Sequence, residues 1–169
     1  MRTWVLRAVR RTLLLLAVIT PGAAVADCVD PATPGVDWTR CYFDGRGFVG
    51  VDLTGARLKD ATFSRGTLTE ADFSGADASR AKFISANLLD AVFDGAQLRE
   101  ADFTNADLRN ASFEGADLRR ARLFRADLRG ANFTKARMSG ADLLEANLAG
   151  ALWIDGLRRC GEGSIGQCR

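Results

Sequence analysis

Four cysteines carry the most evident chemistry in this sequence: Cys28, Cys41, Cys160 and Cys168. In an exported protein an even number of cysteines favours disulfide bonds, and four cysteines allow three pairings. Histidine, by contrast, does not occur at all. The chain therefore lacks the commonest general base, the commonest neutral metal ligand and any Ser–His or Cys–His nucleophile pair.

Aspartates recur through the middle of the chain, and rows of carboxylates resemble metal sites. No oxygen-rich loop of the calcium-binding type accompanies them, however. Carboxylates that repeat along an exposed face are more often a solvated ladder than a set of ligands. The sequence therefore predicts no bound metal and no cofactor.

A five-residue repeat must position these side chains. Within residues 101–120 a large apolar residue recurs at every fifth position, at Phe103, Leu108, Phe113 and Leu118. In an α-helix these side chains would scatter around the circumference, and in a flat strand they would alternate between faces. A chain that turns inward once every five residues brings all of them to a common axis, which predicts a solenoid.

The repeat keeps one frame from residue 41 to residue 155, which is 115 residues or 23 units without an insertion. A small residue stands two positions before each large one, and from Ala71 to Ala151 it is always alanine. This pattern resembles the A(D/N)LXX units of the pentapeptide-repeat family. The resemblance implies an all-β fold, a right-handed, four-sided parallel β-helix. Arg46 and Val51 replace the small residue in the first units, so Arg46 is expected at the open end of the stack.

Alternation of Phe and Leu indicates an even number of sides. It holds from residue 63 to residue 118, apart from Ala78, and gives a ten-residue period. In a 20-residue coil the first face then carries Phe63, Phe83 and Phe103, and the third face carries Phe73, Phe93 and Phe113. Leucines fill the second and fourth faces, and Ala78 leaves a gap on the fourth between Leu58 and Leu98.

The segments outside the repeats have distinct assignments. Residues 1–26 are predicted to be a signal peptide, with basic residues, an apolar run and a small-residue cleavage site near Ala26. The pair Arg10-Arg11 leaves open whether export follows the general secretory or the twin-arginine route. Residues 27–40 are expected to form an N-terminal cap and residues 156–169 a C-terminal cap closed by a disulfide.

A rod of this kind separates the cysteines into two pairs. Cys28 and Cys41 lie at one end and Cys160 and Cys168 at the other, while a disulfide spans only about 4.4–6.8 Å between Cα atoms. We therefore expect the pairs Cys28–Cys41 and Cys160–Cys168. Both bonds would fasten caps over coil ends that otherwise expose unpaired backbone.

Charge is nearly balanced. The whole chain has a formal charge of +2, and removal of the four arginines in residues 1–26 changes it to −2. Basic and acidic residues are interspersed, so we expect no nucleic-acid partner. The third face is predicted to be acidic and the fourth mildly basic, with a ladder of alternating sign at Asp60, Arg80, Glu100 and Arg120.

One apolar patch stands out among the outward positions. Ile84, Phe124 and Leu144 occupy equivalent positions on the first face, and Arg122 and Arg125 flank the phenylalanine. An apolar centre with a charged rim is typical of a protein-binding surface. The alternative is that the C-terminal tail folds back and covers these residues. The sequence leaves the oligomeric state open, and a homodimer is one arrangement that such a patch allows.

Three classes of function can be weighed for such a β-helix, and the first is an activity that the resemblance to pentapeptide-repeat proteins implies. A topoisomerase protector that mimics DNA would need a more acidic rod and a cytoplasmic location. A polysaccharide-processing or polysaccharide-binding β-helix would need long loops to wall a pocket. We favour the third class, a non-enzymatic structural or protein-interaction module, periplasmic or secreted and not membrane-spanning once the signal peptide is removed.

Overall fold

The computed structural model describes residues 28–169; the predicted signal peptide lies outside the described residues. Within this range the chain winds as a right-handed, four-sided parallel β-helix, and it contains no α-helix. The β-structure consists of single bridging residues, one per five-residue unit, rather than extended strands. Parallel bridges join residues 20 positions apart, from Asp37 with Arg57 to Asn132 with Leu152. The predicted four sides per coil are confirmed.

Each unit has the same local structure. In most units the first residue is small and buried, the second forms the bridge, and the third points a large side chain to the axis; the exposed Arg46 and the small Ala78 are the clearest exceptions. The fourth and fifth residues form the turn to the next face. In every unit from Arg40 to Gly150 the fifth residue has a positive φ, between 54° and 74°. The corner thus requires the left-handed region whether or not glycine occupies it.

Asp and Asn at the second position of a unit, just before the large residue, stabilise these corners by side-chain hydrogen bonds. The Asp72 carboxylate accepts a hydrogen bond from the Ser74 backbone N–H at 2.8 Å, and Asn132 accepts one from the Thr134 N–H at 3.0 Å. Such a bond over two residues satisfies a backbone donor that the turn leaves free. This explains why Asp and Asn recur at the second position of the unit.

In two units that lack Asp or Asn at this position, a carboxylate of the preceding coil supplies the acceptor. Asp44 accepts from the Ser64 N–H at 2.9 Å, and Asp94 accepts from the Glu114 N–H at 3.0 Å. Thr62 and Ser112 stand at the second position of those two units. These bonds between coils were not predicted from the sequence.

The β-helix starts one five-residue unit earlier than the repeat pattern indicates. Val36 and Trp38 are buried as the first and third residues of a unit that spans 36–40, and Asp37 bridges to Arg57. The expected boundary of the N-terminal cap at residue 40 is therefore wrong in the structure. The repeat pattern does not reveal this unit, because valine replaces the usual alanine at its first position and tryptophan replaces leucine or phenylalanine at its third. Residues 36–155 form 24 units, or six coils, against the 23 units predicted.

Both ends of the rod are closed in part. A disulfide joins Cys28 to Cys41 and a second joins Cys160 to Cys168, as predicted. Beyond residue 155 the tail turns back and runs antiparallel to the last coil, with bridges from Asn147 to Ile165 and from Leu152 to Arg159. At the other end Arg46 is exposed in the first coil, so the prediction for this residue is confirmed.

Candidate functional site

The outer surface of the rod, not its interior, carries the candidate sites. Alanine, leucine and phenylalanine fill the axis, and most of them have no exposed surface. Within residues 28–169 no group of three or more His, Cys, Asp or Glu side chains is arranged to hold a metal ion. The same part of the chain contains no helix with the length and apolarity needed to cross a bilayer. The candidates that remain are the flat faces.

The apolar patch of the first face lies near the C-terminal end of the rod. Unit 121–125 lies next to unit 141–145, because Arg122 bridges to Asp142 and the Arg125 N–H donates to the Leu144 carbonyl at 3.0 Å. Phe124 and Leu144 therefore occupy the same position in adjacent coils. Leu144 is 62% exposed, and Phe124 is half-buried.

Arginines form the rim of this patch. The guanidinium carbon of Arg125 lies 4.8 Å from the centre of the Phe124 ring, a cation–π contact. The Nε of Arg125 also donates to Glu145 at 2.6 Å. Arg122 lies 3.6 Å from the Asp102 carboxylate. The rim cation thus covers part of Phe124 and leaves Leu144 open.

The structure does not bring all the predicted patch residues together. Ile84 lies two coils below Phe124, about 10 Å away along the rod, and Thr104 stands between them. We therefore define the apolar patch as Phe124 and Leu144 with Arg125 at the rim. Ile84 lies outside it.

The C-terminal tail covers a different part of the last coil. Its backbone hydrogen bonds go to the second and third faces, where the Leu148 N–H donates to Ser164 and the Gly150 N–H donates to Cys160, both at 2.8 Å. The carbonyl of Leu143 approaches Gly166, yet the Leu144 side chain remains exposed. The tail caps the end of the coil without covering the apolar patch.

The charged ladder of the fourth face pairs as its alternating signs predict. On the fourth face Arg80 binds Asp60 through two hydrogen bonds of 2.7 Å, and Arg120 lies 3.8 Å from Glu100. The hydrogen bonds from Arg80 hold the pKa of Asp60 below its usual value. On the third face Lys135 binds Glu114 at 3.1 Å. These pairs support coil register, and each exposed one contributes little to stability.

Sequence comparisons agree with this geometry. A family model described as "Pentapeptide repeat region" matches residues 51–123, and one described as "Pentapeptide repeats (8 copies)" matches residues 121–152. The chain belongs to the pentapeptide-repeat proteins. Among curated proteins none matches.

Solved structures of the same class resemble the chain. HetL, a pentapeptide repeat protein involved in heterocyst differentiation regulation from the cyanobacterium Nostoc sp. strain PCC 7120, is 32% identical with a TM-score of 0.62. The match covers 72% of this chain and 61% of HetL, so it extends over less than two thirds of that protein. A pentapeptide repeat protein from the Arabidopsis thaliana thylakoid lumen is 29% identical, covering 64% of this chain and 69% of its own, with a TM-score of 0.42. Rfr23 from the cyanobacterium Cyanothece 51142 is 23% identical, with coverages of 69% and 90% and a TM-score of 0.46.

Proposed function

We propose that the chain is a non-enzymatic, exported interaction module that binds a protein partner through the apolar patch of its first face. The observation that carries this proposal is the exposure of Leu144 beside Phe124 in adjacent coils, with Arg125 at the rim. Exposed apolar side chains grouped on a rigid, flat surface favour association with another protein. A guanidinium at the edge adds hydrogen-bond donors that can select the partner.

Two features support export. Disulfides persist in oxidising compartments, and each end of the described rod carries one. The sequence of residues 1–26 has the basic, apolar and small-residue segments of a secretory signal. Cleavage near Ala26 would then release a mature chain that begins at Asp27, in the periplasm or outside the cell.

Charge supports an interaction module over a DNA mimic. A mimic of duplex DNA needs negative charge over most of its surface, because the DNA-binding protein that it must attract has a positively charged surface. Here the acidic third face lies beside a fourth face rich in arginine, and several of these arginines already bind carboxylates.

Substitution of the patch tests the proposal. We expect Phe124→Asp to abolish association with the partner, measured by in-cell crosslinking from position 144 and, for self-association, by light scattering of the purified chain. The melting temperature should hardly change, because surface substitutions usually shift stability by less than about 0.5 kcal/mol. Leu89→Asp is the matched control, since Leu89 is an apolar residue at the equivalent position on the second face.

Two results would contradict the proposal. If Phe124→Asp lowers the melting temperature and exposes the tail to proteolysis, the residue belongs to the C-terminal cap. If it changes neither stability nor association, the apolar patch is ordinary surface.

A further inference from the structure

On the fourth face, in the half of the rod nearer the C-terminus, several arginines surround one carboxylate. Asp117 accepts hydrogen bonds from the Nε of Arg99 at 2.7 Å and from Arg119 at 2.6 and 2.7 Å. A third guanidinium, that of Arg137, lies 3.8 Å from the same carboxylate. One negative charge thus faces three positive charges, and Asp117 itself is nearly buried beneath them.

Many of the guanidinium donors in this cluster have no acceptor. Arg99 uses only its Nε, and within residues 28–169 neither of its Nη groups has a hydrogen-bond partner. Arg120 lies 3.8 Å from Glu100, which is too long for a hydrogen bond, and its side chain is 78% exposed. These N–H groups are directed to solvent and are available to an external acceptor.

A depression in the surface lies between the same side chains. It has a volume of about 340 Å³ and is lined by Arg99, Glu100, Arg119, Arg120 and Ser139. The lining residues and their immediate partners comprise four arginines and two carboxylates, Glu100 and Asp117, and so carry a net charge of +2. A ligand that neutralises the cluster needs two negative charges and several acceptor oxygens.

We propose that this depression binds a doubly charged tetrahedral oxyanion, a phosphate or sulfate group. The planar guanidinium pairs its N–H groups with the oxygens of such an anion, and several arginines can share one phosphate. A phosphate monoester carries about −1.5 to −2 charges at neutral pH, which matches the cluster. Ser139 adds a hydroxyl donor at the rim. The site lies on a different face from the apolar patch, so each can fail without the other.

Titration of the mature, disulfide-bonded chain tests the site. We expect inorganic phosphate and sulfate to shift the backbone amide resonances of units 96–100, 116–120 and 136–140, and acetate at equal ionic strength to shift them far less. Arg120→Gln should weaken phosphate binding about tenfold, because a hydrogen bond to a charged group is lost. The control Arg109→Gln removes the same charge from the opposite, second face and should change the affinity less than about twofold.

Vesicles distinguish a free anion from one carried on a surface. Phosphatidylcholine vesicles that contain phosphatidic acid present a phosphate monoester on a lipid, and vesicles of phosphatidylcholine alone are the control. If the chain sediments only with the vesicles that contain phosphatidic acid, and Arg120→Gln abolishes this sedimentation, the site binds a phosphate group on a membrane surface. Binding of free phosphate without sedimentation assigns it to a soluble ligand. Failure of both probes, or equal losses in the Arg120 and Arg109 variants, overturns the proposal.

Discussion

The ring of Phe63 lies 5.3 Å from the ring of Phe83, and their planes are within 7° of parallel. The two residues are 20 positions apart, so each stacked pair marks one complete coil. Phe73 contacts both of them edge-on from the opposite face, at 6.4 and 5.7 Å. Because a shift of register by one residue would replace most of these rings with a small or polar residue, the two phenylalanine ladders specify how the coils align.

The fourth face has one weak point in its core. Ala78 is fully buried at a position where Leu58 and Leu98 occupy the coils below and above. Truncation of a buried leucine to alanine costs about 2–5 kcal/mol in other proteins because it leaves space unfilled. We expect Ala78→Leu to raise the melting temperature, measured by differential scanning calorimetry.

A second buried alanine provides the control for that substitution. Ala96 is equally buried but stands at the small first position of its unit, where neighbouring backbone lies close. Ala96→Leu should therefore destabilise the chain by about 1–3 kcal/mol through overpacking. A clear loss of stability in Ala78→Leu as well would show that the space at residue 78 is already filled.

Most of the fold was predictable because one short pattern repeats. A five-residue period with alternating Phe and Leu specifies the inward positions, the number of sides and the stacking partners of residues such as Phe63 and Phe83. The prediction failed only at the start, where Trp38 and Val36 depart from the usual residue types. An end unit packs against one coil instead of two, so its sequence is less restricted and harder to recognise.

The binding surfaces were less predictable than the core. Spacing placed Phe124 and Leu144 in adjacent coils, but it could not show which face the tail covers, since that depends on how residues 156–169 turn back. The position of the Arg125 guanidinium over Phe124 is likewise a choice of side-chain rotamer. The arginine cluster around Asp117 follows from the 20-residue register, yet its free donors become evident only with the hydrogen bonds.

The C-terminal disulfide should hold the tail against the last coil. In the variant Cys160→Ser/Cys168→Ser we expect faster proteolysis after Arg158 and Arg159 and a stability loss of about 2–3 kcal/mol. The pair Cys28→Ser/Cys41→Ser is the control, because it leaves the tail intact. Peptide mapping without reductant checks the pairing itself, and a peptide that links Cys28 to Cys160 would contradict it.

The first coil should weaken in acid. A hydrogen bond from Arg57, followed by one from Thr39, lowers the pKa of Asp37 from 3.8 to about 2. A carboxyl group with a lower pKa in the folded state stabilises that state above pH about 4, and this contribution disappears as the pH falls toward about 2. Asp37→Asn should therefore melt below the wild type at neutral pH, and most of the difference should be lost as the pH falls through about 2. An undiminished difference at that pH would show that the contribution does not depend on ionisation.

The corners of the coils should be sensitive to backbone conformation. Gly95 has a φ of +65°, and an added Cβ would meet no atom within 4 Å, so any effect of substitution arises from the dihedral angle alone. The left-handed region costs a residue with a Cβ about 1–2 kcal/mol, and Asn tolerates it best. We expect Gly95→Ala to lower the free energy of unfolding by about 1 kcal/mol in urea titrations and Gly95→Asn to lower it less, as Asn105 and Asn110 already occupy this position with φ of 57°. Equal stability of the glycine and alanine forms would mean that the corner imposes no such penalty, and the preference for glycine there would then need another cause.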